Sequence, residues 1–259
     1  MLALVSPAKK LDFSTTPKPL PHSLSDFTDE TLSLVKSARR LSRPRLRKLM
    51  NLSPALTDLN YQRFQDHAPV STPDNAKQAA LAFAGDTYTG LDSASLDEGD
   101  WAFAQGHLRI LSGLYGLLRP LDLIQPYRLE MGSRLATRRG KTLYDFWGDR
   151  LARAVDEAVA GHQAPVVVNL ASNEYFKAVP LKSLQARAIT AIFKEVDGDD
   201  DGQGKVIGFF AKHARGAMAR YMIQNRLENP EDLKSFTADG YRYRDNLSDA
   251  DNWVFTRAA

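Results

Sequence analysis

Pro165-Val166-Val167-Val168-Asn169-Leu170 restricts the fold more than any other segment of this 259-residue chain. β-Branched side chains are stiff and pack well on a pleated surface, so the run is read as a strand. It is apolar at both parities, so neither of its faces is meant for water. Such a strand lies inside a sheet covered on both sides, as parallel sheets are. Leu2-Ala3-Leu4-Val5, stopped by Ser6-Pro7, reads the same way.

Helical patterns surround these strands, and the fold class is mixed α/β. Ser25 to Arg40 carries apolar residues at helical spacing, and Pro44, Pro54 and Pro73 open helices through Met50, Phe64 and Phe83, together a bundle-like layer. Gly85 to Gly99 reads as a loop with a Tyr88-Thr89-Gly90 turn, followed by a helix from Asp100 to Leu111. Tyr144 to Ala160 is an amphipathic helix ended by Gly161. Ala188 to Glu195 and Lys205 to Phe210 read as strands joined by a Gly/Asp loop. A helix to Leu227 and short strands at Tyr241 to Arg244 and Trp253 to Thr256 follow. There is no repeat and no linker, which predicts one domain over residues 1–259.

Cysteine is absent, which excludes disulfides, thiol nucleophiles and thiolate-bound metals. No apolar stretch approaches the roughly 20 residues that cross a bilayer, and the first ten residues lack the order of an export signal. A cytoplasmic protein with no membrane partner is expected. The net charge is only +3, from 34 basic and 31 acidic residues, but the charges are segregated. Lys36 to Lys48 and Lys205 to Arg226 contain no acid, while acids gather at Glu195 to Asp201 and Asp245 to Asp251. One strongly basic face is expected, and a polyanion suits it.

Leu111-Ser112-Gly113-Leu114-Tyr115-Gly116-Leu117 has the apolar, Gly, apolar, Gly spacing of a helix-hairpin-helix. In that element glycines permit positive φ and close approach, and amides at the next helix start donate to phosphate oxygens. Gly113, Leu114, Tyr115 and Gly116 are therefore candidate DNA contacts, flanked by Arg109, Arg119, Arg128, Arg134, Arg138, Arg139 and Lys141. The same string also fits an ordinary αα turn closed by a glycine cap, and Pro120 and Pro126 keep any second helix short. On the later basic helix, Lys212, Arg215 and Arg226 fall on one side, a pattern also common on solvated faces.

Longer strings carry a resemblance. Ser6-Pro7-Ala8-Lys9, Gly85-Asp86-Thr87-Tyr88-Thr89-Gly90-Leu91, the run from Leu111 to Leu123, Pro126-Tyr127-Arg128-Leu129-Glu130-Met131-Gly132, Asn169 to Lys177 and Ala214-Arg215-Gly216 all match one pattern. In them the chain resembles the YaaA family of bacterial peroxide-stress proteins. The resemblance implies a cytoplasmic protein of the peroxide response, associated with lowered free iron and with recombinational DNA repair. It also implies binding of DNA, duplex and branched (duplex, bubble or junction), by a basic cleft and a helix-hairpin-helix, on a single-domain fold called the cantaloupe fold. It brings no secure enzymatic activity.

Other signals are weaker. Asp197-Gly198-Asp199-Asp200-Asp201-Gly202 imitates the start of a calcium loop, but its twelfth position is Gly208, so a solvated hairpin loop is preferred. The five histidines include no i, i+4 pair, so no metal site and no cofactor is predicted, and an iron-sequestering role has the least support. Lys9, Ser172, Glu174 and Lys177 fall at the ends of the buried strands, where α/β sheets place their sites. Lys9 and Lys177 are read as phosphate contacts, Ser172 as a helix N-cap, and Lys9 and Glu174 as weak catalytic candidates. Tyr88, Tyr115 and Tyr127 suit stacking on unpaired bases or burial with a bonded hydroxyl. Two functions compete: DNA binding without sequence preference, and an enzyme acting on a small phosphorylated or nucleotide-like substrate in the basic cleft.

Overall fold

The computed structural model describes residues 1–14, 20–196 and 204–258. Its main sheet consists of β1 (Leu2–Val5), β2 (Leu108–Ser112), β3 (Gly116–Leu118), β4 (Val166–Leu170), β5 (Arg187–Val196), β6 (Arg242–Tyr243) and β7 (Asn252–Ala258). The strands lie in the order β6-β7-β5-β4-β1-β2-β3. β7, β5, β4, β1 and β2 run parallel, and β6 and β3 close the two edges antiparallel. Leu2, Ala3, Leu4 and Val5 of β1 are all fully buried, so both faces of the sheet centre are covered, as their two-sided apolar pattern requires.

The chain leaves β1, places β2 on one side of it, and then lays β4, β5 and β7 successively on the other. The direction of winding therefore reverses between β1 and β4. In open α/β sheets a reversal of this kind leaves a crevice outside the carboxyl ends of the two strands, and ligands bind there.

Helices α1 (Thr28–Arg39), α2 (Arg43–Met50) and α3 (Pro54–Asp66) form the expected layer, α3 capped by the Ser53 hydroxyl, which accepts from Leu56 N at 3.3 Å. α4 (Asp86–Leu91) packs along α9 (Gly208–Gln224). Between them in sequence come α5 (Glu98–His107), α6 (Leu143–Trp147), α7 (Arg150–Val159) and α8 (Asn173–Phe176). Reciprocal capping boxes, Asp97 with Asp100 and Thr142 with Asp145, fix where α5 and α6 begin. Among the described residues no helix is long and apolar enough to cross a membrane.

Five local expectations are corrected. Pro73 to Phe83 is not one helix: Thr72 to Asn75 turns, with Thr72 N donating to Asn75 Oδ1, Lys77–Gln78 pairs with Leu123–Ile124, and only Ala79–Ala82 is helical. Gly85 to Gly99 is not a loop, because it contains α4. The predicted Asp100 to Leu111 helix stops at His107, and β2 begins at once. Tyr144 to Ala160 is two helices, parted at Gly148 with φ 55°. Lys205 to Phe210 is not a strand: Lys205 makes one bridge to Glu195, and α9 starts at Gly208. The calcium-like Asp197 to Gly202 string lies outside the described residues.

Candidate functional site

The glycine string is a β-hairpin, and the helix-hairpin-helix expectation is corrected. β2 and β3 pair antiparallel with Ser112 opposite Gly116, which takes φ +72° to end the turn. The apolar, Gly, apolar, Gly spacing serves a tight turn between strands as well as one between helices. Leu114 and Tyr115 are 0% and 3% exposed. Ser112 Oγ accepts from Leu114 N at 3.2 Å and Tyr115 N at 2.9 Å, while Trp147 Nε1 donates to Gly113 O at 3.2 Å. A Cβ on Gly113 would strike the Leu129 carbonyl, and one on Gly116 would lie 2.8 Å from the Trp147 ring. These glycines make room for protein, and the turn amides do not face solvent.

The crevice at the reversal between β1 and β4 is occupied by a cleft of about 460 Å³. Its walls come from the Ser6 to Lys10 segment after β1, Ser172, Glu174 and Tyr175 after β4, Gly85 to Tyr88 at the start of α4, and Lys212 and Arg215 on α9. Ser6 joins the two strand ends: its hydroxyl accepts from Ser172 N at 2.9 Å and donates to Ser172 Oγ at 3.3 Å. Ser172 occupies the N-cap position of α8 but makes no capping hydrogen bond, so its hydroxyl serves the cleft, contrary to the capping expectation. Tyr88 donates to Ser6 O at 3.1 Å, and burial raises the pKa of both Tyr88 and Tyr175, which stay neutral hydroxyls.

The cations differ sharply in how they are engaged. Lys9 meets Glu130 at 2.8 Å, and Glu130 also holds Arg128 at 3.0 Å. Lys212 is 3.9 Å from Asp86. Among the described residues Arg215 makes no ion pair, and its buried Nε has no hydrogen-bond partner. Burial lowers the Arg215 pKa, since its charge is drawn from water. Glu174 accepts from Gly132 N at 2.8 Å, and its carbonyl accepts from Tyr144 OH at 2.9 Å, under the Lys177 ammonium, which lies 5.1 Å from the Tyr144 ring.

The structure thus brings Lys9, Glu174, Lys212 and Arg215 together, with Arg128 and Lys177 alongside. Arg134, Arg138 and Lys141 are exposed on the segment between Gly132 and Tyr144. Arg109 instead donates to Gln105 O and Leu108 O, both at 2.9 Å, and Arg119 clamps Asp122 and Asp26 at 3.0 and 3.1 Å. Tyr88, Tyr115 and Tyr127 are buried with bonded hydroxyls and offer no ring to a base. Lys10, Asp86, Thr87, Glu130 and Tyr175 were not foreseen as site residues. The Gly85 to Gly90 string was the available signal for Asp86 and Thr87.

A family model described as peroxide stress protein YaaA matches residues 1–247. This chain belongs to that family. A UPF0246 protein of Magnetococcus marinus is 53% identical over 259 residues, covering 100% of both chains. UPF0246 proteins of Dinoroseobacter shibae and Ralstonia pickettii are 52% and 51% identical, each over 99% of this chain and over 95% and 99% of their own. The resemblance seen in the strings from Ser6 to Gly216 is therefore a full-length relationship, and membership places the chain among peroxide stress proteins. Among the described residues no group of three or more His, Cys, Asp or Glu is placed to hold a metal ion.

Proposed function

We propose that the protein binds DNA without sequence preference, duplex or branched, through phosphate contacts in the cleft between β1 and β4, and does so in the peroxide stress response. The observation that carries this reading is the Arg215 guanidinium, which lines the cleft with no carboxylate partner among the described residues. A guanidinium matches a phosphate with two parallel hydrogen bonds, and such a contact offsets the desolvation of its charge. Lys9, Lys10 and Lys212 stand at the same cleft. Lys177, Arg134, Arg138 and Lys141 extend the basic surface along the segments tied to Glu174. Phosphate contacts position a duplex and carry no base information, so sequence plays little part. Bound DNA is shielded from damage or held for repair, and lowered free iron follows indirectly.

The test is equilibrium binding of unrelated duplexes across a salt series. The reading expects equal affinities and a linear fall of log affinity with log salt concentration. No binding at low salt overturns it.

The volume of the cleft favours a second reading, an enzyme acting on a small phosphorylated or nucleotide-like substrate, since it lies within the range of small-molecule sites. Glu174 then stands at the reacting end. Calorimetric titration with nucleoside monophosphates, followed by a search for turnover lost in Glu174→Gln, tests it.

A further inference from the structure

Ahead of Lys212, the start of α9 carries an apolar group open to solvent: Val206 is 55% exposed, Ile207 42%, Phe209 59% and Phe210 37%. No charged residue stands between Lys205 and Lys212. The two rings are not equivalent. The Arg257 guanidinium lies 4.3 Å over Phe210 and is itself fixed by Glu195 at 2.6 Å, so Phe210 is packed on one face. Phe209 meets Phe210 edge to face at 5.4 Å and keeps most of its surface in water. Of the two rings, Phe209 is the one left open to a ligand.

Its neighbours indicate which. Phe209 and Lys212 are three residues apart on one helix, ~4.5 Å of rise, and Arg215 follows by the same step. Lys212 and Arg215 both line the cleft, with Lys9 and Lys10 across it. An aromatic ring flanked by cations at one helical turn matches a nucleotide, whose base takes the ring and whose phosphate takes the charge.

We infer that Phe209 is a base-stacking residue, on which an unpaired nucleobase lies while adjoining phosphates are held by Lys212 and Arg215. This rests on the DNA reading of the cleft and narrows it. A base inside an intact duplex is already stacked on both sides and must leave its neighbours to reach Phe209. A base in a bubble, gap or single strand has no such cost. The protein therefore prefers DNA with unpaired bases, and Phe209 sets that preference without setting affinity for duplex.

The experiment compares three labelled DNAs of equal length, a duplex, the same duplex with a central bubble, and a single strand. Wild type, Phe209→Ala and Phe209→Trp are measured against each. The site is exposed on a helix, so the variants keep the fold. Wild type is expected to favour the bubble and single strand. Phe209→Ala is expected to lose about tenfold on these two and to bind duplex as before. Phe209→Trp is expected to restore the preference, its indole emission quenched by the bubble and not by the duplex. If Phe209→Ala keeps the wild-type preference, or the Trp emission ignores the bubble, the inference falls while the cleft reading stands. If wild type binds no DNA, both fall. An emission shift on anionic phospholipid vesicles with none on the bubble assigns the patch to a membrane surface and overturns the inference.

Discussion

Gly216 of α9 faces the Thr87 carbonyl oxygen of α4 so closely that a Cβ does not fit between them, and Gly90 meets the His213 carbonyl in the same way. The two helices touch backbone to backbone and carry Thr87, Tyr88, Lys212 and Arg215 of the cleft. Gly216→Ala is expected to force them apart and cost about 1–3 kcal/mol of stability. Gly106→Ala, where the added carbon meets nothing within 4 Å, is expected to be neutral or slightly stabilising. Urea unfolding of both variants checks this, and equal midpoints contradict the close approach.

The β2–β3 hairpin gives a second prediction. Gly116 has positive φ and sits against Trp147, so Gly116→Val adds both backbone strain and overlap. It is expected to destabilise the fold by about 2 kcal/mol or more. A stable Gly116→Val protein with weakened DNA binding would return the turn to the role of a phosphate contact.

His67 supplies a pH dependence. It is 5% exposed, with Nε2 3.1 Å from the Tyr115 hydroxyl. Burial is the main cause holding its pKa below the ordinary value; the Ala68 carbonyl opposes the shift and Arg39 adds to it. Burial lowers His107 and His162 as well. The unfolded chain thus binds protons more readily than the fold, so this stability is complete above about pH 6.5 and declines as the pH falls. Melting temperatures between pH 7.5 and 5 are expected to drop in wild type and to drop less steeply in His67→Gln. Parallel curves contradict the assignment.

The chain suits a peroxide-rich setting in its own chemistry. It has no cysteine, and Met1, Met131, Met218 and Met222 are fully buried, with Met50 7% exposed. Sulfoxide formation requires access to the thioether. Mass spectrometry after peroxide treatment is expected to find the folded protein unoxidised at methionine and the urea-unfolded protein oxidised at these sites. Rapid oxidation of the folded protein contradicts that burial.

The parts legible in sequence were those fixed by local pattern. β1 and β4 were readable because Leu2 to Val5 and Val166 to Leu170 are apolar at both parities. Lys9 and Glu174 were readable because they follow those strands, and Lys212 and Arg215 because no acid accompanies them. The order of strands depends on pairings more than 100 residues apart, such as Leu2 with Val167, so the reversal between β1 and β4 was invisible. Gly90 signalled a turn, whereas it marks where α9 passes too close for a side chain. Arg226 shared a helical face with Lys212 only on paper: α9 ends at Gln224, and Arg226, at φ 50°, bonds Asp100 at 2.6 Å.

The Arg215 guanidinium, without a carboxylate partner among the described residues, is proposed to hold phosphate in the β1–β4 cleft. Duplex binding by Arg215→Ala in a salt series, with the unfolding midpoint taken on the same sample, tests it most directly. An affinity about tenfold lower, a salt slope smaller by about one, and an unchanged midpoint are expected. Wild-type affinity and slope in a folded Arg215→Ala protein would contradict it.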